Sequence, residues 1–296
     1  MKILVTGATG FIGQNLVNLL LSRNYEIHCI VRANSDTSKI NPKASIFKYD
    51  DDIDSLDTFF KKENFDGVIH LASLFLQSHT NKDIAHLIAS NIKFGTELLE
   101  VCKQSNVKWF INTGTFWQNY ENKGYNPVNL YAATKEAFEM VAKYYTQTSD
   151  IIFTTIKIND TFGPNDTRNK VFNLWNKIAE TGEPLEMSAG EQIIDISYIE
   201  DVISAFDKLV KHLNSNQRNE FHNKEFVVTN YEKLSLKDLA RIYEETTNSK
   251  LNIIWGAKPY REREVMIPYN QGQIVPDWKQ KHTLKEAIKN TLGVSK

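Results

Sequence analysis

The segment Thr6-Gly7-Ala8-Thr9-Gly10-Phe11-Ile12-Gly13 sets three glycines at GxxGxxG spacing between an apolar run, Ile3 to Val5, and a stretch of helical period. Without a Cβ at those positions the backbone can turn sharply, and an anion can reach the unpaired N–H groups and the positive dipole end of the helix that follows. Glycine triads also serve ordinary turns and close helix–strand packing. The position of this one, between a first strand and a first helix, makes it a phosphate-cradling loop of the dinucleotide-binding kind.

The rest of the chain continues the alternation that such a loop begins. Phe11, Ile12, Leu16, Leu19 and Leu20 recur at spacings of three and four, the inner face of a helix ending near residue 22. Short apolar runs predict strands over 26–31, 45–49, 68–72, 108–113 and 151–156, with helices at about 53–63, 83–105 and 130–147 between them. Strands alternating with amphipathic helices predict an α/β fold, a Rossmann-like doubly wound parallel sheet. After Gly163-Pro164 the connections lengthen, with helices expected near 171–181 and 236–246. The expected division is a dinucleotide-binding domain over 1–164 and a smaller, mainly substrate-binding lobe over 165–296, with about 191–210 returning to the first domain and 214–224 a surface loop.

Charge and cysteine usage narrow the partners. Lys and Arg number 35 against 36 Asp and Glu, a formal charge of −1, which gives no sequence-wide attraction to nucleic acid or anionic lipid. Cys29 and Cys102 are too few for a disulfide framework, which suits a reducing compartment. No apolar run approaches the roughly 20 residues needed to cross a bilayer. The first strand begins at Ile3 and leads straight into the glycine loop, so no signal peptide and no membrane partner are expected and a cytoplasmic location is.

The end of the second strand bears on the cofactor. An Asp or Glu there suits the ribose hydroxyls of NAD, whereas an arginine suits the 2′-phosphate of NADP. This chain has Arg32, a guanidinium fork for a phosphate, and Ser35, a further hydroxyl, while Asp36 comes too late for the acidic position. NADPH or NADP is therefore preferred to NAD; a solvated loop arginine is the plain alternative.

Tyr131 and Lys135 stand at i and i+4 and share a face of the predicted 130–147 helix. A cation beside a phenol favours its ionised form and brings its pKa down from about 10 toward working pH. Such a pair on an exposed helix is commonplace. Here it follows a dinucleotide loop and a hydroxyl-bearing strand end, Thr113-Gly114-Thr115, able to orient a substrate oxygen beside the phenol.

These motifs resemble the extended short-chain dehydrogenase/reductases, in the branch acting on nucleotide-linked sugars, over nearly the whole length. The resemblance is carried by TGATGFIG at 6–13, VIHLA at 68–72, N-x-x-G-T-x-x-L-L at 91–99 and YAATK at 131–135. Phe162-Gly163-Pro164 is similar to the family's Y-G-P turn, and residues 195–202 to its R-D-F-V-Y-V-D-D-V. The resemblance implies that Tyr131 is the general acid, that Lys135 binds the nicotinamide ribose and lowers the phenol's pKa, and that Thr113 is the catalytic hydroxyl, with Thr115 second. It further implies that Gly7, Thr9, Gly10, Phe11, Ile12 and Gly13 hold the cofactor phosphates, and that Asp52 and Ile53 lie near the adenine. Leu71, Ala72, Ser73 and Asn91 would line the cofactor. Trp117 and Asp160, with Thr113 and Thr115, would face the sugar, and Arg261 or Arg263 would hold the sugar pyrophosphate.

Departures from the family pattern bear on the reaction. Sugar dehydratases of this branch carry an acidic pair after the catalytic threonine; Gly114 and Thr115 stand there instead, which argues against dehydration. Phe116-Trp117-Gln118 replaces V-Y-G, Asp160 an asparagine and Lys157 an arginine. The strings NTGTFWQ, NLYAATKEAFE and KINDTFGP are most similar to CDP-abequose and CDP-paratose synthases, implying NADPH-dependent reduction of the 4-keto group of a CDP-linked 4-dehydro-3,6-dideoxyglucose in O-antigen synthesis. The alternatives are an NAD-dependent nucleotide-sugar 4-epimerase and a non-catalytic dinucleotide-sensing protein. No metal is expected: His79, Asp83 and His86 have helical spacing but sit in a loop-like stretch. A homodimer is expected through the 83–105 and 130–147 helices, the latter carrying Phe138, Val141, Tyr144 and Tyr145 on more than one face.

Overall fold

The computed structural model describes residues 1–293. The first half runs β1 (Lys2–Thr6), α1 (Phe11–Ser22), β2 (Glu26–Arg32), β3 (Ser45–Tyr49), α2 (Ile53–Glu63), β4 (Gly67–His70), α3 (Ile84–Ile88), α4 (Phe94–Gln104), β5 (Trp109–Thr115), α5 (Leu130–Thr148) and β6 (Ile152–Ile158). The second runs β7 (Asp160–Phe162), α6 (Val171–Thr181), β8 (Leu185–Met187), β9 (Ile193–Ile194), β10 (Ile196–Tyr198), α7 (Ile199–Leu213), β11 (Lys224–Val227), β12 (Leu234–Ser235), α8 (Leu236–Thr247), β13 (Ile253–Trp255), β14 (Gln273–Ile274) and α9 (Leu284–Leu292).

Eight strands form one sheet in the order β3-β2-β1-β4-β5-β6-β11-β14, every neighbouring pair parallel. Parallel sheets are covered on both faces, and the strands read accordingly as continuous apolar runs. One face packs Val5, Ile69 and Ile111 beneath α1 and α7; the other packs Leu4, Val68 and Phe110 beneath α2, α4 and α5. The strand order reverses at β1/β4, which places a crevice at the carboxyl ends of those strands.

The β1–α1 turn requires its glycines. Gly7 has φ of +71°, and a Cβ there would come within 2.7 Å of the Ala72 nitrogen. At Gly13 a Cβ would overlap the Gly7 carbonyl oxygen.

Several boundaries depart from the sequence reading. The expected 83–105 helix is a 3-10 turn, α3, a π-helical turn at Ala89–Lys93 and then α4. The wide turn accommodates Asn91, whose buried carboxamide bonds Leu74 and Thr134. β4 ends at His70 because the Ala72 N–H turns out of the ladder to the Thr6 hydroxyl, 3.1 Å away. α7 lies within and just beyond the segment expected to return, and packs on α1. The sheet is also extended by β11, which begins where the expected 214–224 loop ends, and by β14; the sequence reading assigned neither as a strand. Two to four residues are too few for periodicity to register. On α5, Phe138 and Tyr145 enter this chain's own core, while Tyr144 and Met140 remain exposed.

Replacing Gly13 by Ala should force the β1–α1 turn apart, and overpacking of this kind costs about 1–3 kcal/mol. Urea denaturation should show a lower midpoint at unchanged slope; an unchanged midpoint would contradict the close approach.

Candidate active site

The carboxyl ends of β1, β4, β5 and β6 open onto a cleft of about 520 Å³, closed from the other side by segments around Arg168, Ile194 and Arg261. Gly7, Gly10, Phe11, Ile12 and Gly13 form one wall, Leu71, Ser73, Thr113 and Thr115 the floor, and Tyr131, Trp117, Asp160 and Arg261 the remainder. Asn129 caps α5 by accepting the Ala132 N–H at 3.0 Å, which fixes the helix start from which Tyr131 projects.

The Tyr131 phenol stands beside the hydroxyls of Ser73 and Thr115, which favour its ionised form. Burial pushes its pKa up to about 12, against the downward pull of those two hydroxyls. Lys135, one turn further along α5, is buried, and burial brings its ammonium down to about 8 while the Glu139 carboxylate opposes the fall. The expected lowering of the phenol by the lysine is not what this geometry produces. The ammonium's field falls on Glu139 and on His70, and desolvation dominates at the phenol.

Thr113, the family-position hydroxyl, lines the cleft, yet its Oγ1 is buried and has no partner within the protein. Thr115, second in the sequence reading, is the one in contact with the phenol. Its backbone N–H is held by Gln118 Oε1 at 2.8 Å, and its hydroxyl accepts the Trp117 N–H.

The cleft has the features a nicotinamide dinucleotide needs. No side chain caps α1 and no acid stands in its first turn, so its N-terminal N–H groups are available to a pyrophosphate across a cradle that a Cβ would fill. Arg32 ends β2 and Ser35 follows it, and Asp52 and Ile53 follow β3, at the carboxyl ends of neighbouring strands. Arg32 is exposed, and Asp52 accepts the Asp54 N–H as cap of α2.

Four of the expected residues make bonds within the protein. Thr9 offers its carbonyl to Gln14, and Ala72 is tied behind the loop to Thr6. Asn91 spends its carboxamide clamping the Leu74 loop to α5, so it supports the floor rather than lining it. Arg263 bonds Asn126 and lies 4.3 Å over the Tyr120 ring, away from the cleft, whereas Arg261 lies in it, 5.5 Å over Trp117 and paired with Glu264. Among the cleft residues that were not legible in the sequence, three stand out by their contacts. Phe75 meets Tyr131 edge-on at 5.0 Å, Lys170 lies over Phe75 at 5.1 Å, and Arg168 covers Phe11 at 4.5 Å while gripping Asp166. Only the closeness of Arg168 and Lys170 to Gly163-Pro164 hinted at them.

Fold and cleft define the class, a Rossmann-type enzyme built for a nicotinamide dinucleotide. Residues 3–226 match the model of the NAD dependent epimerase/dehydratase family, and the chain belongs to that family. It is 26% identical to CDP-abequose synthase of Salmonella muenchen, over 99% of this chain and 97% of the relative. The CDP-abequose synthase of Yersinia pseudotuberculosis is 27% identical over 90% of this chain and 92% of its own. Among solved structures, UDP-glucuronic acid 4-epimerase from Bacillus cereus, in complex with UDP-glucuronic acid and NAD, superposes with TM-score 0.83 at 22% identity, over 99% of this chain and 98% of the other.

Removing the unpaired Thr113 hydroxyl, as in Thr113→Val, relieves a buried desolvation penalty of about 1–3 kcal/mol. Chemical denaturation should show stability held or raised, and a loss of stability would mean that the hydroxyl is satisfied in the folded protein.

Proposed function

We propose that the protein reduces the 4-keto group of a nucleotide-linked deoxysugar with NADPH, the sugar being CDP-linked 4-dehydro-3,6-dideoxyglucose and the product a precursor of surface polysaccharide. One observation carries this reading: each carboxylate lining the cleft is already engaged, and the groups at the phenol are hydroxyls. Asp160 pairs with Lys170, Glu264 with Arg261, and Asp195 with Asn159, Thr229 and the Asn230 N–H. That leaves a proton donor and hydroxyl positioners without the free carboxylate that removal of water would require. Similarity to CDP-abequose synthases along almost the full length supports the substrate, and the aliphatic and aromatic wall of Ile193, Ile194, Phe75 and Trp117 suits a sugar with few hydroxyls.

When bound, the reduced nicotinamide would supply a hydride to the carbonyl carbon. Tyr131 gives its proton to the carbonyl oxygen, and Thr113 and Thr115 orient that oxygen. Lys135 would hold the nicotinamide ribose, the glycine loop the dinucleotide pyrophosphate, and Arg261 the sugar pyrophosphate. Arg32 and Ser35 favour the 2′-phosphate of NADP, since no acid directly follows β2. Among the described residues no helix is long and apolar enough to cross a membrane. The exposed Met140 and Tyr144 of α5, with Ile84 and Ile88 of α3, supply an apolar face for a homodimer of a cytoplasmic enzyme.

The second reading, a 4-epimerase retaining NAD, draws on the fold likeness to the Bacillus cereus epimerase. A panel of CDP-, dTDP-, UDP- and GDP-linked 4-ketosugars, followed by NADPH oxidation, separates the two. Net oxidation is expected with the CDP-linked 3,6-dideoxy compound, and Tyr131→Phe should lower it about 100-fold or more while sparing NADPH binding. Bound NAD in the purified protein, with no net NADPH consumption, would select the epimerase.

A further inference from the structure

Behind the cleft, α5 carries Tyr131, Lys135 and Glu139 at successive spacings of four, a single stripe running from the substrate side into the interior. The third member is not part of the chemistry assigned above. The Glu139 Oε1 accepts from Gln118 Nε2 at 3.1 Å and from Asn112 Nδ2 at 3.2 Å. Gln118 in turn binds the Thr115 N–H through its Oε1 at 2.8 Å and donates to Glu136 at 2.7 Å. Asn112 lies on β5 one residue before Thr113 and also donates to Thr155 on β6. One carboxylate thus touches the network that holds the hydroxyl-bearing strand end and stands one helical turn beyond Lys135, close enough for its charge to favour the ammonium.

We propose that Glu139 is a positioning residue that acts as counter-ion to Lys135 and, through Gln118 and Asn112, locks α5 to the end of β5. The proposal rests on the reading of Tyr131 and Lys135 as the proton-donating pair. The charged groups around the stripe are few. Glu136 on α5, Lys157 on β6 and Glu225 on β11 face Glu139, and His70 on β4 faces Lys135. His70 is held neutral by burial, down to about 3, so the Glu139 carboxylate is the group that sustains the buried ammonium. Burial and Glu136 push Glu139 itself up to about 7, with Lys157 and Gln118 opposing. Its support therefore operates as the pH rises through the range in which Lys135 would otherwise lose its proton.

The sign follows. Without the carboxylate, the folded-state pKa of Lys135 falls further, its ammonium is lost at lower pH, and the alkaline limb of turnover moves acidward. Glu139→Gln keeps an oxygen for Gln118 and Asn112 and removes only the charge. Lys135 in the unliganded full-length protein can be followed by its side-chain NMR resonance, assigned with Lys135→Arg. Its midpoint should drop by about one unit in Glu139→Gln, and Glu139→Asp should restore part of the drop. In NADPH oxidation the alkaline limb should shift in the same direction, whereas a purely structural role would lower turnover equally at every pH. An unchanged Lys135 midpoint overturns the proposal, as does a moved midpoint with an unmoved limb. The titration needs no sugar or dinucleotide, so failure to turn over any ketosugar would sink the proposed reduction and leave the titration to decide the role of Glu139.

Discussion

The β1–α1 junction leaves no room for side chains, and the position of nearly everything else in the cleft follows from that. Gly7 packs against the backbone of Leu71 and Ala72, and Gly13 against Gly7, so the sheet, the loop after β4 and the first helix meet at van der Waals limit. Thr6 fastens the same corner. Its hydroxyl accepts the Ala72 N–H and lies 2.9 Å from His70 Nδ1. The ring's other nitrogen, Nε2, lies on a side bounded by Phe94, Phe110 and Phe138 and has no partner. Burial keeps that histidine neutral, so the corner beneath the cleft does not change with pH over the working range.

How much of this was legible depended on whether a residue's neighbours lay close in the chain. The glycine loop, the run of β1 to β6 and the Tyr131–Lys135 face follow from periodicities of two to seven residues, and those survive in the fold. Features resting on distant partners did not. The π turn at Ala89–Lys93 exists because Asn91 is drawn to Leu74 and to Thr134, 17 and 43 residues away. β11 joins the sheet by pairing with β6 some 70 residues earlier, and no short pattern marks that pairing. The choice between Arg261 and Arg263 was open for the same reason, since Arg263 is taken by Asn126, 137 residues away.

The cleft is also where local rules of stability are relaxed. Thr113 Oγ1, Asn112 Oδ1 and His70 Nε2 are buried without partners around the end of β5 and β4, although buried polar groups are ordinarily satisfied. Elsewhere in the same region polar groups are satisfied several times over. Asp195 binds Asn159, Thr229, the Asn230 N–H and Lys233, and so draws the ends of β6 and β11 and the segment after β11 onto one carboxylate. Of the three unpaired groups Thr113 alone lines the cleft, and its hydroxyl is the one a ligand there would meet.

Burial acts with opposite sign on the two groups proposed to serve the reaction. It disfavours the charged form of each, raising the phenol toward 12 and lowering the ammonium toward 8, so near neutrality the pair holds a proton on Tyr131 and a positive charge on Lys135. A carbonyl gaining a hydride develops negative charge on oxygen, and this pair meets it with a proton already in place and a cation close by. Oxidation would require the opposite starting state, an ionised phenol beside the ammonium, which desolvation opposes in this chain. The hydroxyls of Ser73 and Thr115 offset part of that opposition, and the charge of Glu139 keeps the cation from being lost to it. The balance of these terms at one buried helix face therefore favours a protonated phenol beside a cation, the starting state that the proposed reduction needs.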